Sequence, residues 1–465
     1  MENKTAPFGI KDKLGYLFGD LGNDFTFILS SGFLMKFYTD VMGVPAAVIG
    51  TVMMIARFID AFTDVAMGRL CDKGTDKGYG KFRPWILRMC IPVTVSSFLI
   101  YQSALASLGT GLKIAYLFVT YILWGSFFYT SINIPYGSMA SAISPDAGDR
   151  QSLSTYRTVG GMIGGAIVTG GVPLLVYESR DGREVLVGSR FTLVAGVFSL
   201  LALVCYLLCY FLVKERVRAV APQAKQKSNN AFTMLKNAAG NKPLITIIIA
   251  SVIMLLSQLT MQQMINYVFP NFYGNAGMQT VATITMSLGM MVAAVIAKPL
   301  ASRFGKAEIS GVANIVAGIG SLLLFFIRPG NVWVYIGFQT VSWVGLGVFS
   351  MVSWALITDV IDYSEIKNGI REDGTVYALY SFARKLGQAA SSGLSGGLLT
   401  LIGYSEETAF DGGVVNGIFN ISTLVPAIGF TVLGLILLFV YPLGKNQVLE
   451  NIEILKNKHN KSEKE

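Results

Sequence analysis

Long apolar segments recur along almost the whole 465-residue chain, and they constrain its fold more than any other feature. A helix that crosses a lipid bilayer needs about 20 mostly apolar residues. The sequence predicts twelve such segments, at 14–37, 46–68, 85–106, 113–139, 153–177, 190–213, 243–269, 278–300, 307–328, 332–358, 375–402 and 416–442. Only 14% of the residues are charged, whereas a soluble domain carries roughly 25%. We therefore expect an all-α membrane protein and exclude a soluble enzyme, a disordered chain and a nucleic-acid-binding protein.

The basic residues predict the orientation of these helices. Most of the 37 Lys and Arg residues fall in connections on the side of both termini. Cytoplasmic loops of membrane proteins carry such an excess. Both termini are therefore expected in the cytoplasm, with the chain in the cytoplasmic membrane.

A polar, basic stretch at 214–242 divides the chain into two groups of six predicted helices. The expected order is an N-terminal half at 1–213, a cytoplasmic linker at 214–242, a C-terminal half at 243–445 and a cytoplasmic tail at 446–465. At a constant offset of 227 residues three identities recur, which are Tyr136 with Tyr363, Arg157 with Arg384, and Gly160 with Gly387. Two halves of six helices are the architecture of the major facilitator superfamily, whose substrate sites lie near the midplane.

Acidic residues interrupt the first two apolar segments, and three of them are the strongest functional signal. Asp24 lies in the first segment, and Asp60 and Asp64 lie in the second. An acidic residue at the centre of a transmembrane helix costs roughly 2.5–3.5 kcal/mol, so it is expected to face the protein interior or water. Because Asp60 and Asp64 are four residues apart, both project from one face of a helix.

Paired carboxylates with nearby hydroxyl groups suit a small hard cation, which prefers oxygen ligands. The candidate cation ligands are Asp60, Asp64, Thr63 and Thr130. Two alternatives stay open. The paired acids can instead carry a proton, because close like charges raise one pKa. They can also form an ion pair with Arg57 or Lys385 that only fixes helix packing.

A second set of residues suits a polyhydroxylated ligand. A carboxylate accepts two hydroxyl hydrogen bonds and a guanidinium donates in a fork, so Asp24 and Arg157 can bracket adjacent sugar hydroxyls. The further candidates for sugar binding are Asn133, Lys385, Trp124, Tyr129 and Trp354. For each aromatic residue, packing or anchoring at the membrane interface is the alternative.

Other signals concern packing and the absence of a cofactor. Gly-Gly-Met-Ile-Gly-Gly at 160–165 has the small-residue spacing that permits close helix crossing. The charged loop at 68–85 either locks helix ends together in one state or anchors the cytoplasmic side. The only histidine, His459, lies in the polar tail, and the four cysteines form no CxxC motif. We therefore expect no cofactor apart from a coupling cation, Na⁺ or H⁺.

Several motifs, in order along the chain, resemble one family, the glycoside–pentoside–hexuronide:cation symporters. The motifs are Gly19-Asp-Leu-Gly-Asn-Asp24-Phe, Phe37-Tyr-Thr-Asp40, Ala56-Arg-Phe-Ile-Asp60-Ala-Phe-Thr-Asp64, Gly80-Lys-Phe-Arg-Pro-Trp85, Asn133-Ile-Pro-Tyr-Gly137 and Asp359-Val-Ile-Asp-Tyr363. The resemblance implies that Asp60 and Asp64, with Thr130, bind the coupling cation. It implies that Asp24 and Arg157 bind the sugar and that Lys385 lies beside both sites.

The chain departs from melibiose permease, which typifies this family. That protein has an Asn at the position of Thr63, an acid at that of Asn133 and a Trp at that of Gly137, so the resemblance argues against melibiose as the substrate. The expected function is import of a glycoside, pentoside or hexuronide with Na⁺ or H⁺. The open rivals are a cation-independent uniporter or exchanger, a lipid flippase, a membrane enzyme and a sugar sensor.

Overall fold

A computed structural model describes residues 7–73, 79–217, 240–368 and 373–462. Most of the predicted linker at 214–242 lies outside these residues. So do part of the loop at 68–85 and the side chain of His459.

Helices account for most of the described chain, as the apolar segments predict. In chain order they are α1 (Ile10–Asp40), α2 (Ala46–Lys73), α3 (Arg83–Ile100), α4 (Thr110–Ile122), α5 (Thr130–Ile143), α6 (Ala147–Val176), α7 (Gly188–Leu212), α8 (Lys242–Tyr267), α9 (Met278–Phe304), α10 (Lys306–Ile327), α11 (Val332–Asn368), α12 (Asp373–Leu401), α13 (Gly412–Leu435) and α14 (Lys445–Ser462). A π-helical turn, Leu123–Tyr129, joins α4 to α5, and shorter π-helical turns, Val268–Phe272 and Ile436–Val440, follow α8 and α13. A 3₁₀ turn, Ser103–Ser107, follows α3.

Nine helical segments within the described ranges are long and apolar enough to cross a membrane. They include Ala46–Cys71, the joined segment Thr110–Ile143 and Gly188–Leu212. The remaining predicted spans correspond to α1, α3 and α12, which are also long helices. The chain is thus an all-α membrane protein, while the number of twelve spans stays a prediction.

The chain folds into two compact units. The first consists of Met1–Ala224, Phe269–Val281 and Ser395–Val415, and the second of Lys225–Val268, Ala282–Leu394 and Asn416–Glu465. In the first unit α1 packs along both α6 and α7, and in the second α10 packs along α11. The core of the second unit contains fully buried aliphatic and aromatic side chains, such as Leu346, Phe349 and Phe430.

Glycine permits the close approach of α1 and α6. A Cβ atom at residue 160 would lie 2.7 Å from the carbonyl oxygen of Leu17, closer than real Cβ atoms approach other atoms. In the second unit a Cβ atom at residue 387 would lie 3.4 Å from the Cα of Val252 on α8. The two glycines that match at the offset of 227 residues therefore each face the first helix of their predicted half. The duplication itself stays a prediction.

A half-buried carboxylate fixes the described end of the charged loop at 68–85. Glu215, just after α7, accepts hydrogen bonds from the backbone N–H groups of Lys81, Phe82 and Arg83 at 2.7, 2.9 and 2.7 Å. The first turn of a helix leaves such N–H groups without partners, and a carboxylate there also favours the helix dipole. This part of the loop thus ties the start of α3 to the end of α7.

One β-hairpin interrupts the helices, between α6 and α7. Strands β1 (Tyr177–Arg180) and β2 (Arg183–Leu186) pair antiparallel, with Tyr177 opposite Leu186. The two turn residues, Asp181 and Gly182, have φ angles of 51° and 73°. Positive φ at both positions is the requirement of the tight turn that joins two-residue hairpins.

The packing of α1 on α6 gives a first prediction. Gly160→Ala should lower the apparent unfolding temperature in detergent, because overpacking costs typically about 1–3 kcal/mol and exceeds the gain of roughly 1 kcal/mol in helix propensity. Gly171→Ala, on the same helix, is the matched control because a Cβ atom there meets nothing within 4 Å. Intrinsic fluorescence during heating measures the unfolding temperature of both variants. An equal decrease in that temperature for both would contradict close packing at Gly160.

Candidate functional site

Two hydrogen bonds join the acids of α2 to hydroxyl groups of the neighbouring α4–α5 segment. The hydroxyl of Ser126 donates to Oδ1 of Asp60 at 2.5 Å, and that of Thr130 donates to Oδ1 of Asp64 at 2.9 Å. Both pairs of residues are four apart, so the two contacts lie one helical turn from each other on each helix. The structure thus brings Asp60, Asp64 and Thr130 together, as the sequence predicts.

The π-helical turn Leu123–Tyr129 supplies one of these hydroxyls. Such turns insert a residue into an α-helix and are frequent at functional sites. Ser126 lies in this turn and is 1% exposed, and a Cβ atom at residue 125 would be 3.8 Å from Oδ1 of Asp60. Sequence reasoning missed Ser126. The signal that could have found it is its position four residues before Thr130, which repeats the spacing of Asp60 and Asp64.

An arginine also contacts the acid pair. Nη1 of Arg57 lies 3.4 Å from Oδ2 of Asp60, and both side chains are largely buried. The hydroxyl of Thr63, by contrast, donates to the backbone carbonyls of Ile59 and Asp60, both at 3.2 Å. The role of Thr63 as a cation ligand stays a prediction, with its hydroxyl directed to its own helix in this structure.

The sugar-binding candidates Asp24 and Arg157 come from α1 and α6. Nε of Arg157 donates to Oδ1 of Asp20 at 3.0 Å. The arginine is thus paired with the acid that lies one helical turn before Asp24. The position of a Cβ atom at residue 161 lies 3.1 Å from Oδ2 of Asp20 and 3.2 Å from Oδ2 of Asp24. Glycine at 161 therefore lets both carboxylates lie against α6. Asp20 was missed by sequence reasoning, although it stands inside the first family motif.

Asp24 differs from Asp20 in its partners. Among the described residues the carboxylate of Asp24 has neither a hydrogen-bond donor nor an ion-pair partner, although the residue is half-buried. Gly164 adjoins it closely, since a Cβ atom there would lie 2.9 Å from the Cβ of Asp24. A desolvated carboxylate without a donor is costly, so Asp24 is suited to accept hydrogen bonds from a ligand.

A stacked pair of tyrosines positions Arg157. Tyr16 on α1 and Tyr136 on α5 stack at 4.6 Å, and each hydroxyl donates to the backbone carbonyl of the other residue. The guanidinium of Arg157 lies over the ring of Tyr136, 5.3 Å from its centroid. A Cβ atom at Gly137 would be 3.8 Å from Nη1 of Arg157, so the absence of a side chain there leaves space beside the guanidinium.

The side-chain amide of Asn133, on α5, is hydrogen-bonded to that of Asn23 on α1. Its Oδ1 accepts a hydrogen bond of 3.5 Å from Nδ2 of Asn23, and the Asn23 Oδ1 accepts one of 3.0 Å from the hydroxyl of Tyr206. Asn23 and Tyr206 were not predicted. Their hydrogen bonds hold the amide of Asn133 against α1, the helix that carries Asp20 and Asp24.

The aromatic candidates Trp124 and Tyr129 connect the two groups of residues. Trp124 is 1% exposed and packs 5.4 Å from Tyr129, whose ring stacks 5.4 Å from Phe27 on α1. The guanidinium of Arg57 lies 4.9 Å from the centroid of the Phe27 ring. Burial of Trp124 matches a packing role in this conformation. Its contact with sugar stays a prediction.

The last two sugar-binding candidates lie in the second unit. Trp354 on α11 is 47% exposed and stacks 5.9 Å from Tyr377. Lys385 is half-buried on α12, one residue after Arg384, whose guanidinium lies 5.8 Å from the ring centroid of Tyr380. The structure thus groups Asp24, Arg157, Asn133, Trp124 and Tyr129 in the first unit, and Trp354 and Lys385 in the second.

A buried ion pair near the opposite end of α1 was not predicted. Lys36 is 1% exposed, and its Nζ lies 2.7 Å from Oδ2 of Asp40. The same Nζ donates to Oδ1 of Asn271 at 3.0 Å and to the hydroxyl of Tyr404 at 2.6 Å, and Tyr404 donates to Asp40 at 2.9 Å. We call these four residues the Lys36 network. It joins α1 to the turn after α8 and to the loop after α12, all within the first unit.

Comparisons with known proteins show which family the chain belongs to. The family described as MFS/sugar transport protein matches residues 15–445. The glucuronide carrier protein homolog of Escherichia coli (strain K12) is 29% identical over 446 residues, 96% of this chain and 95% of that protein. The isoprimeverose transporter of Lactiplantibacillus pentosus is 31% identical over 432 residues, 92% of this chain and 88% of that protein. These matches confirm the family resemblance that the motifs indicate.

The fold has a close counterpart among solved structures. The crystal structure of a D-xylose-proton symporter superposes with a TM-score of 0.67 at 14% identity, covering 93% of this chain and 98% of that chain. The family match over nearly the whole chain, with the all-α fold, assigns the class of the molecule. The chain belongs to the sugar-transport family of the major facilitator superfamily, and it is a membrane transporter, not an enzyme.

Proposed function

We propose that the chain imports a glycoside, pentoside or hexuronide across the cytoplasmic membrane by symport with Na⁺ or H⁺, through alternating access. Both termini lie in the cytoplasm in this proposal. The observation that carries it is the pair of contacts from Asp60 to Ser126 and from Asp64 to Thr130. Two carboxylates and two hydroxyls offer a small cation the oxygen ligands that it prefers.

Coupling follows from the contacts around the acids. A bound Na⁺ or H⁺ compensates one of the two negative charges of Asp60 and Asp64 and weakens the hold of Asp60 on Arg57. Arg57 contacts Phe27, which lies on α1 three residues after Asp24. The occupancy of the cation site therefore acts on the helix that presents the sugar-binding acid. Each ligand then favours the binding of the other, by a free energy that is typically about 1–3 kcal/mol.

The membrane potential adds to the driving force. One cation that moves inward at 100 mV contributes about 2.3 kcal/mol. Asp24 accepts sugar hydroxyls and the terminal amino groups of Arg157 donate to them, while Asn133 supplies an amide. The loaded carrier then changes from an outward-open to an inward-open state.

One observation favours the alternative, a cation-independent uniporter or exchanger on the same fold. Asp60 already has an internal cation, because Arg57 lies 3.4 Å away. An acid that is permanently neutralised by an arginine stabilises helix packing and needs no external ion.

The decisive experiment is uptake into proteoliposomes over a panel of neutral glycosides, pentosides and hexuronides, each with separate Na⁺ and pH gradients. We expect one gradient to drive accumulation by the wild type and Asp60→Asn to abolish it, because the variant removes the negative charge that attracts the cation. Circular dichroism and gel filtration control for folding. Gradient-driven accumulation by Asp60→Asn at the wild-type level would contradict the role of Asp60 as a cation ligand and support the alternative in which this acid only stabilises helix packing.

Ser126→Ala tests the π-helical turn as part of the cation site. In the proposed site the Ser126 hydroxyl is a ligand of the bound cation, and losing a polar contact to a charged group costs about 1.5–3 kcal/mol, so the apparent cation affinity should fall on the order of tenfold or more. Ser138→Ala is the matched control, since that exposed hydroxyl bonds only to the backbone of its own helix. Cation titration of the initial uptake rate measures the effect. An unchanged cation dependence for Ser126→Ala would remove Ser126 from the site.

The Lys36 network joins α1 to two segments of the predicted C-terminal half, so we expect its contacts to break when the predicted outer side of the carrier opens. Tyr404→Phe removes the hydroxyl that bridges Lys36 and Asp40, so we expect the outward-open state to become more populated. A cysteine in place of the buried Ala409, whose carbonyl accepts a hydrogen bond from Asn271, should then react several-fold faster with an impermeant maleimide on whole cells.

Tyr116→Phe is the control for this measurement, because its hydroxyl bonds to Leu99 away from the network. Equal labelling rates for Tyr404→Phe and the parent protein would show that the network does not restrain opening.

A further inference from the structure

The charges around Asp24 carry information about the substrate. Asp20 and Asp24 lie one turn apart on α1, and both adjoin Gly161 of α6. Arg157 forms an ion pair with Asp20 through Nε and makes no ion pair with Asp24. Two carboxylates and one guanidinium leave this group with one net negative charge.

The pairing also fixes how Arg157 is presented. Nε is hydrogen-bonded to Asp20 and Cζ of the guanidinium lies 5.3 Å from the ring centroid of Tyr136, so two contacts hold the group in place. Its two terminal amino groups make no hydrogen bond to a carboxylate within the described residues, and the side chain is 42% exposed. Beside Gly137 these groups remain available as donors to a ligand.

We infer that Asp20 is a positioning residue that sets charge selectivity, so that the transporter takes a neutral glycoside or pentoside in preference to a hexuronide. This inference rests on the proposed function and names its substrate class. A neutral sugar can bind to the Asp24 carboxylate and to the terminal amino groups of Arg157 at the same time, because its hydroxyls donate to Asp24 and accept from Arg157. The carboxylate of a hexuronide would instead meet Asp24 and an arginine whose charge Asp20 already balances. Like charges brought together at a binding site cost several kcal/mol.

Replacing Asp20 reverses this balance. In Asp20→Asn the charge of Arg157 is no longer compensated by Asp20, and Asp24 becomes its nearest carboxylate. A neutral sugar then loses part of its acceptor, while a hexuronide meets a group without net charge. The two ligand classes are therefore expected to change in opposite directions, which general destabilisation of the protein would not produce.

The test uses three related ligands (congeners), which are the 4-nitrophenyl xyloside, glucoside and glucuronide, each as the α- and β-anomer. They differ only in the substituent at C5, which is hydrogen, hydroxymethyl or carboxylate. Dissociation constants are measured on the full-length protein in nanodiscs, at fixed pH and salt. We expect the wild type to prefer the better neutral congener over the glucuronide by about tenfold or more. In Asp20→Asn this ratio should fall by at least about fivefold, with a smaller change for Asp20→Glu.

Glu178→Gln is the matched control, because it removes one negative charge from a partly exposed acid–arginine contact between the β-hairpin and α7 of the same unit. Arg384 and Lys385 of the second unit are present in every variant, so the ratio isolates the effect of residue 20. A wild type that binds the glucuronide as tightly as the neutral congeners would overturn the inference, and so would an equal loss of all congeners in Asp20→Asn. If the wild type binds no congener of either class, the proposed function fails as well.

Discussion

A charged side chain within an apolar helix requires a polar partner, and the described site is organised by this requirement. Asp60 and Asp64 each accept a hydrogen bond from a hydroxyl of the α4–α5 segment, Asp20 pairs with Arg157, and Lys36 pairs with Asp40. Removing such groups from water costs several kcal/mol, and geometry and hydrogen bonds must offset that cost. Asp24 is the exception, since it has neither a donor nor an ion-pair partner among the described residues. In the function that we propose, the hydroxyl groups of the substrate supply the missing donors.

Backbone features make these contacts possible. The π-helical turn turns Ser126 toward Asp60, and glycines on α6 let the acids of α1 approach its backbone. The same glycines allow close helix packing, so the small-residue motif serves the site as well as the fold. Opening and closing of a transporter requires interfaces with two stable arrangements. The Lys36 network is a compact set of contacts that can exist in one such arrangement and be absent from the other.

Much of this could be predicted from the sequence, because the signals are local. Apolar length predicts helices, and isolated acids within them predict Asp60, Asp64 and Asp24 as functional groups. The contacts that were missed are of another kind. Ser126 depends on a π-helical turn that shifts the helical register, and Asp20 depends on which helix faces Arg157. The Lys36 network joins segments more than two hundred residues apart, and no periodicity along the chain reports such a contact.

Reciprocal binding tests the central claim, that the acids of α2 hold a cation whose binding is linked to that of the sugar. With the sugar that gives uptake, calorimetry on the purified protein measures the sugar affinity with and without the cation, and the cation affinity with and without the sugar. Linkage requires the same factor in both directions. We expect that common factor to lie on the order of 5–150-fold, the usual range for linked sites. Sugar affinity that does not change with Na⁺ concentration or pH would contradict cation symport by this transporter.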